Sequence, residues 1–71
     1  MNERRVSDAA TLEWIKLYIS RKGYPPTVRE VARGLGLVST STAFYHIEKL
    51  VKQGRITRDP GIARSIVVVA V

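Results

Sequence analysis

The chain has no cysteine and a single histidine, so neither a disulfide framework nor a Cys/His zinc site holds it together. It also lacks a long apolar run. The longest, Ile66 to Val71, is six residues, against the roughly 20 that a membrane-spanning helix needs. Met1-Asn2-Glu3-Arg4-Arg5 has none of the apolar character of a signal peptide, which predicts a cytoplasmic location. No internal repeat, low-complexity tract or glycine-rich phosphate loop is present, and no metal or cofactor is expected. The serines and lysines have neither an orienting acid nor a cleft-forming segment beside them, so the sequence does not read as an enzyme. Its 71 residues allow one core and hence one domain over 1–71. A chain so short buries only about 60% of its extended surface. Packed helices, a small sheet or self-association must therefore stabilise it.

Positive charge is what the sequence has in excess. Twelve Lys and Arg against six Asp and Glu give +6 and a pI near 10.3. Residues 1–27 carry +2 (5 minus 3), 28–54 carry +2 (4 minus 2) and 55–71 carry +2 (3 minus 1). The excess belongs to the fold and not to a tail, and it favours a polyanionic partner.

Caps and glycines divide the chain. Ser7 is placed to cap a first helix over about 8–22, with Asp8 at its positive end and Gly23 at its stop. Leu12, Ile15 and Ile19, with Thr11, Trp14 and Tyr18 beside them, share one arc of that helix. Thr27-Val28-Arg29-Glu30 is a capping box opening a second helix over about 28–35, with Val28, Val31, Ala32 and Leu35 inward. Gly34 weakens that helix, and Gly36 suits its C′ position. Ser39 caps a third helix over about 40–53, with Ala43, Ile47, Leu50 and Val51 inward and Gly54 ending it. After Gly54 the period changes. Arg55 to Arg58 and Ser65 to Val71 read as strands around the Asp59-Pro60-Gly61 turn, a hairpin over about 55–70. The expected fold is mainly α with a small β-hairpin: a three-helix winged helix-turn-helix.

Several separated motifs then carry a resemblance. Lys22-Gly23-Tyr24-Pro25-Pro26-Thr27-Val28-Arg29-Glu30-Val31, Gly36-Leu37-Val38-Ser39-Thr40-Ser41-Thr42, His46-Ile47 and Arg58-Asp59-Pro60 resemble the DNA-binding domain of the LexA repressors of the SOS response. The Gly-Tyr-Pro-Pro and Arg-Asp-Pro elements look most like the Gram-positive and actinobacterial forms, and the similarity runs from about Val6 to Val69. It implies a repressor domain whose third helix enters the major groove of a palindromic double-stranded operator. LexA continues into a linker and a self-cleaving protease domain, and this sequence stops where that linker would begin. If the 71 residues are a whole protein, the expectation is a regulator without self-cleavage, carried by a phage or mobile element; the other reading is an excised domain.

Helical projection places Ser41, Tyr45, Glu48 and Lys52 at the centre of the third helix's outer face, with Phe44 and Lys49 flanking. The resemblance assigns base reading to the positions of Ser39, Ser41, Thr42, Phe44 and Tyr45. The serines and Thr42 match the Gram-positive pattern, whereas Phe44 and Tyr45 depart from its His-Gly or related pairs, which implies an altered half-site. Thymine methyl contact would justify two adjacent outward aromatics; the alternative packs Phe44 against the wing or a neighbouring helix. Thr40, Arg29, Lys49, Lys52, Arg55, Arg58 and Arg64 are the candidate contacts to the DNA backbone, with Arg58 and Arg64 also within reach of the minor groove. His46 reads as a packed histidine bonded to the wing backbone, not as a metal ligand. Lys16, Arg21 and Lys22 read as solvated surface.

The last strand lacks polar alternation, so Val67, Val69 and Val71 would form an apolar ridge on the wing. That ridge predicts pairing with a symmetry mate, a homodimer on DNA, or contact with another protein; an ordinary frayed wing strand is the alternative. Two functions follow: a sequence-specific DNA-binding regulator, or a protein-interaction module that binds a host repressor or polymerase through the scaffold and this strand.

Overall fold

The computed structural model describes residues 7–69, so the Val71 part of the expected ridge lies outside the described residues. Three helices, α1 (Asp8–Lys22), α2 (Val28–Gly34) and α3 (Thr40–Lys52), precede an antiparallel pair, β1 (Ile56–Thr57) and β2 (Val67–Val68). The register pairs Ile56 with Val68 and Thr57 with Val67, and the Val69 N–H adds a 2.9 Å bond to the Arg55 carbonyl. This is the expected helix-helix-helix-hairpin order, with α2 and α3 each one residue shorter than anticipated and only two residue pairs in the sheet. Between the strands, residues 58–66 form a hydrogen-bonded turn.

Each helix begins where its cap dictates. Ser7 accepts from the Ala10 N–H, Ser39 from the Ser41 N–H, and Thr27 and Glu30 form a reciprocal capping box. Two helices end alike. Gly36 at φ +70 and Gly54 at φ +74 take the left-handed conformation that glycine adopts without steric cost. Each lets the next residue fold back: Leu37 N–H reaches Ala32 O at 2.9 Å, and Arg55 N–H reaches Leu50 O at 3.0 Å. The first turn delivers Leu37 into the core and aims α3 across α2; the second sends the chain into the wing.

The core unites Leu12 and Ile15 of α1, Val31 and Ala32 of α2, Leu37 of the turn that follows, Ala43, Ile47 and Leu50 of α3, and Ile56 and Ile66 of the wing. Ile19, Val28, Leu35 and Val51, read as inward from periodicity, are only partly buried around it. They sit at the edges of arcs whose centres are filled by better-placed neighbours. Gly34 is a correction of a different kind. Its Cα faces the Trp14 indole so closely that an added Cβ would clash severely with the nearest ring carbon. The residue is the clearance that lets α1 and α2 approach, and the cost to the helix is secondary to that contact.

Candidate nucleic-acid interface

The outer face of α3 is built from residues that its buried stripe leaves over. Ala43, Ile47 and Leu50 point to the core, which turns Ser41, Phe44, Tyr45 and Lys52 to solvent. Phe44 is 45% and Tyr45 59% exposed. Adjacent aromatics this open are unusual without a ligand. Each is braced. Arg58 lies 5.1 Å over the Phe44 ring, and Lys49 lies 5.4 Å from the Tyr45 centroid, with the His46 ring edge-on at 5.6 Å. Phe44 thus rests on the wing arginine while half its surface stays open.

At the start of α3, Ser39 Oγ accepts the Ser41 N–H at 3.0 Å, so its own hydroxyl proton remains free to donate. Thr40 and Ser41 are exposed and Thr42 is half-buried. Val28, Thr40, Ser41, Phe44 and Arg58 line a shallow depression beside the Phe44 ring. Next to it, a cleft of about 360 Å³ runs between α2 and the wing, with Arg29, Thr40 and Arg58 on its walls.

The seven proposed backbone contacts fall into two groups. Thr40, Arg29, Lys52 and Arg55 are exposed, and among the described residues Arg29, Lys52 and Arg55 make no ion pair. Lys49, Arg58 and Arg64 are engaged within the protein. Lys49 Nζ is 3.4 Å from Asp8, whose carboxylate raises the lysine's pKa. Arg58 Nη1 donates to Glu48 Oε2 at 2.9 Å, with its side chain only 14% exposed. Arg64 makes a bidentate pair with Glu30 at 2.8 Å on both oxygens, and a 3.0 Å bond to the Pro25 carbonyl. Charge counting alone reads these three as outward cations, because their partners lie 10 to 41 positions away.

His46 also has a different partner from the one expected. Nδ1 donates at 2.9 Å to Asp8 Oδ1 at the start of α1, not to the wing backbone. The histidine bond is the main reason the Asp8 carboxyl titrates below its ordinary value, with Gln53 and Lys49 adding to it. No local sequence signal selects that pairing, since the two residues lie 38 positions apart. Among the described residues no three His, Cys, Asp or Glu cluster as a metal site would require, and no helix is long and apolar enough to cross a membrane. On the wing, Val67 and Val69 are 57% and 37% exposed, and β2 has one unpaired edge.

An exposed polar and aromatic face at the start of α3, flanked by unpaired cations and a wing, is how a helix-turn-helix meets a duplex. The known proteins agree. The LexA repressor of Clostridium botulinum (strain Hall) is 43% identical over 70 residues, which is 97% of this chain and 35% of the repressor. That of Caldicellulosiruptor saccharolyticus is 52% identical over 58 residues, 82% of this chain and 29% of the relative. That of Bacillus mycoides is 47% identical over 55 residues, 78% and 27% respectively. The chain thus spans about a third of the length of these relatives. With the family described as the LexA DNA binding domain matching residues 6–65, and with the three capped helices and their turns in that stretch, the chain belongs to the LexA DNA-binding domain family.

Proposed function

We propose that the chain is a sequence-specific double-stranded DNA-binding repressor domain, regulatory and not enzymatic. The observation that carries this is the open Phe44–Tyr45 pair beside Ser41 on α3, in a protein whose exposed Arg29, Lys52 and Arg55 make no ion pair among the described residues. In this reading α3 lies in the major groove. Ser39 and Ser41 reach base edges as hydroxyl donors, Thr42 lies beside them, and Phe44 and Tyr45 meet thymine methyl groups. Thr40, Arg29, Lys52 and Arg55 hold the phosphates on either side. The operator is palindromic and is met by two copies, with Val67 and Val69 of the wing strand as the contact between them. A free-standing protein-interaction role is not favoured, since the family is a DNA-binding one.

About 6 phosphate contacts per dimer give a log–log slope of affinity against salt near −5. Selection from a random duplex pool, followed by gel shift across a salt series, tests the reading. Recovery of a palindrome with thymines in each half-site is the expected result. Sequence-blind retention, or an affinity indifferent to salt, rejects it.

A further inference from the structure

Ile56 and Ile66 anchor the wing in the core, but the segment between them is weakly set by its own backbone pairing. Two residue pairs join β1 to β2, too few to fix a tip nine residues long between them. Within the tip, however, the chain is well tied. Asp59 N–H donates to Ser65 Oγ at 2.8 Å, and the Ser65 hydroxyl donates back to the Asp59 carbonyl at 2.9 Å. Gly61 N–H reaches Asp59 Oδ1, and Ile62 N–H reaches the Asp59 carbonyl, both at 3.0 Å. The tip is therefore a small rigid unit whose angle depends on what grips its base.

Arg58, bonded to Glu48, ties one side of that base to α3, and Arg64 ties the other to α2. Arg64 stands at φ +57, a left-handed conformation that a residue with a side chain adopts only when its surroundings compensate. There its guanidinium forks onto both oxygens of Glu30, bonds the Pro25 carbonyl, touches the Tyr18 hydroxyl at 3.3 Å and covers the Tyr24 ring at 4.8 Å. Glu30 is the same carboxylate that closes the α2 capping box by accepting the Thr27 N–H. One acid thus fixes both the start of the helix-turn-helix and the base of the wing. The planar fork of arginine suits this bidentate geometry, and the point charge of lysine does not.

We propose that Arg64 is a positioning residue for DNA recognition: through Glu30 it sets the angle of the wing against α3, and it does not contact the duplex. This rests on the DNA-binding reading above, and it assigns to Arg64 a role that charge alone would not suggest. The test separates position from charge. A cation that touches phosphate leaves the salt slope smaller by about 0.9 when removed. Lys52→Ala serves as that reference. Arg64→Ala and Arg64→Lys should each weaken operator binding by about tenfold, with the slope unchanged. Glu30→Gln, which removes a negative charge and should by charge alone tighten binding, should weaken it instead. A reduced slope for Arg64→Ala, near-parent binding by Arg64→Lys, or tighter binding by Glu30→Gln overturns the proposal. The DNA-free protein gives an independent readout. Arg64→Lys should accelerate amide exchange at Ile62 and broaden the signals of residues 59–65, with α1 to α3 unchanged. Undisturbed wing signals defeat the brace even where the parent binds DNA. A parent that binds no duplex defeats the DNA reading and leaves this second measurement to judge the brace.

Discussion

Asp8, the first residue of α1, accepts a hydrogen bond from His46 at the middle of α3, 38 positions along the chain. The carboxylate also takes Gln53 at 3.2 Å and Lys49 at 3.4 Å, so the start of one helix is fastened to the last two turns of another. A carboxylate can only accept, which fixes the histidine proton on Nδ1. Asp8→Asn should cost about 1 kcal/mol, a drop of roughly 4–8 °C in Tm for a domain this size. His46→Ala combined with Asp8→Asn should cost less than the two singly, and strict additivity in urea unfolding would break the pairing.

Trp14 and Gly34 invert an ordinary propensity rule. Alanine is the better helix former by about 1 kcal/mol, so Gly34→Ala is nominally stabilising. The Trp14 ring occupies the space that its Cβ needs, and overpacking of that kind costs roughly 1–3 kcal/mol. Net destabilisation is the expected result, and the penalty should shrink in a Trp14→Ala background. A stabilised Gly34→Ala would show that the helices can part freely, contrary to the packing described.

Glu30 predicts how the protein responds to acid. Its bond from Arg64, then that from the Thr27 N–H, hold its pKa at about 2 against an ordinary 4.5. The folded value lies below the unfolded one, so the carboxylate stabilises the fold fully above 4.5 and loses that contribution as pH falls toward about 2. Asp8 acts in the same direction. Urea midpoints followed from neutral pH downward should fall through this window, and Glu30→Gln should flatten the fall. An equally steep acid limb in Glu30→Gln places the titration elsewhere.

These three contacts also mark where sequence reading stops. Caps and turns are local: Ser7, Thr27 with Glu30, Ser39, Gly36 and Gly54 each act within a few residues, so the helices and their order are legible. The buried centres of each arc, such as Ile15, Val31 and Ile47, follow from period alone. Which side chain meets which across the fold does not. Arg64 finds Glu30 over 34 positions, and Trp14 finds Gly34 over 20, through crossings that no local pattern encodes. Hence Arg58 and Arg64 read as outward charges, and Gly34 as a weak point, until the helices are docked. The outer face of α3 was legible because it is what the buried stripe leaves behind.

Phe44 offers the sharpest test of base reading. Its ring is half open, and Arg58 fixes its back against the wing. A thymine methyl contact contributes discrimination at one base pair, of which the usual worth is about 1–3 kcal/mol. Phe44→Ala should therefore erase the thymine preference at one position of each half-site and leave the other positions as selective as before. Repeating the pool selection with the variant checks this. A uniform loss across all positions would mean that the ring supports the helix and does not read a base.

The wing strand bears on assembly. Val67 and Val69 lie exposed on a two-stranded sheet with an open edge, an arrangement that invites pairing with another strand. Two copies carrying +6 each repel one another in solution, and phosphates between them offset that repulsion. Association should thus be weak off DNA and cooperative on it. Val69→Lys adds a charge to this apolar ridge, exposed enough at 37% to spare the core. It should leave binding to an isolated half-site within about twofold of the parent, a shift of about 0.4 kcal/mol. It should also abolish the cooperative step on the full palindrome, as read by light scattering of the complex and by the shape of the titration. Retained cooperativity in Val69→Lys removes this strand from the dimer contact.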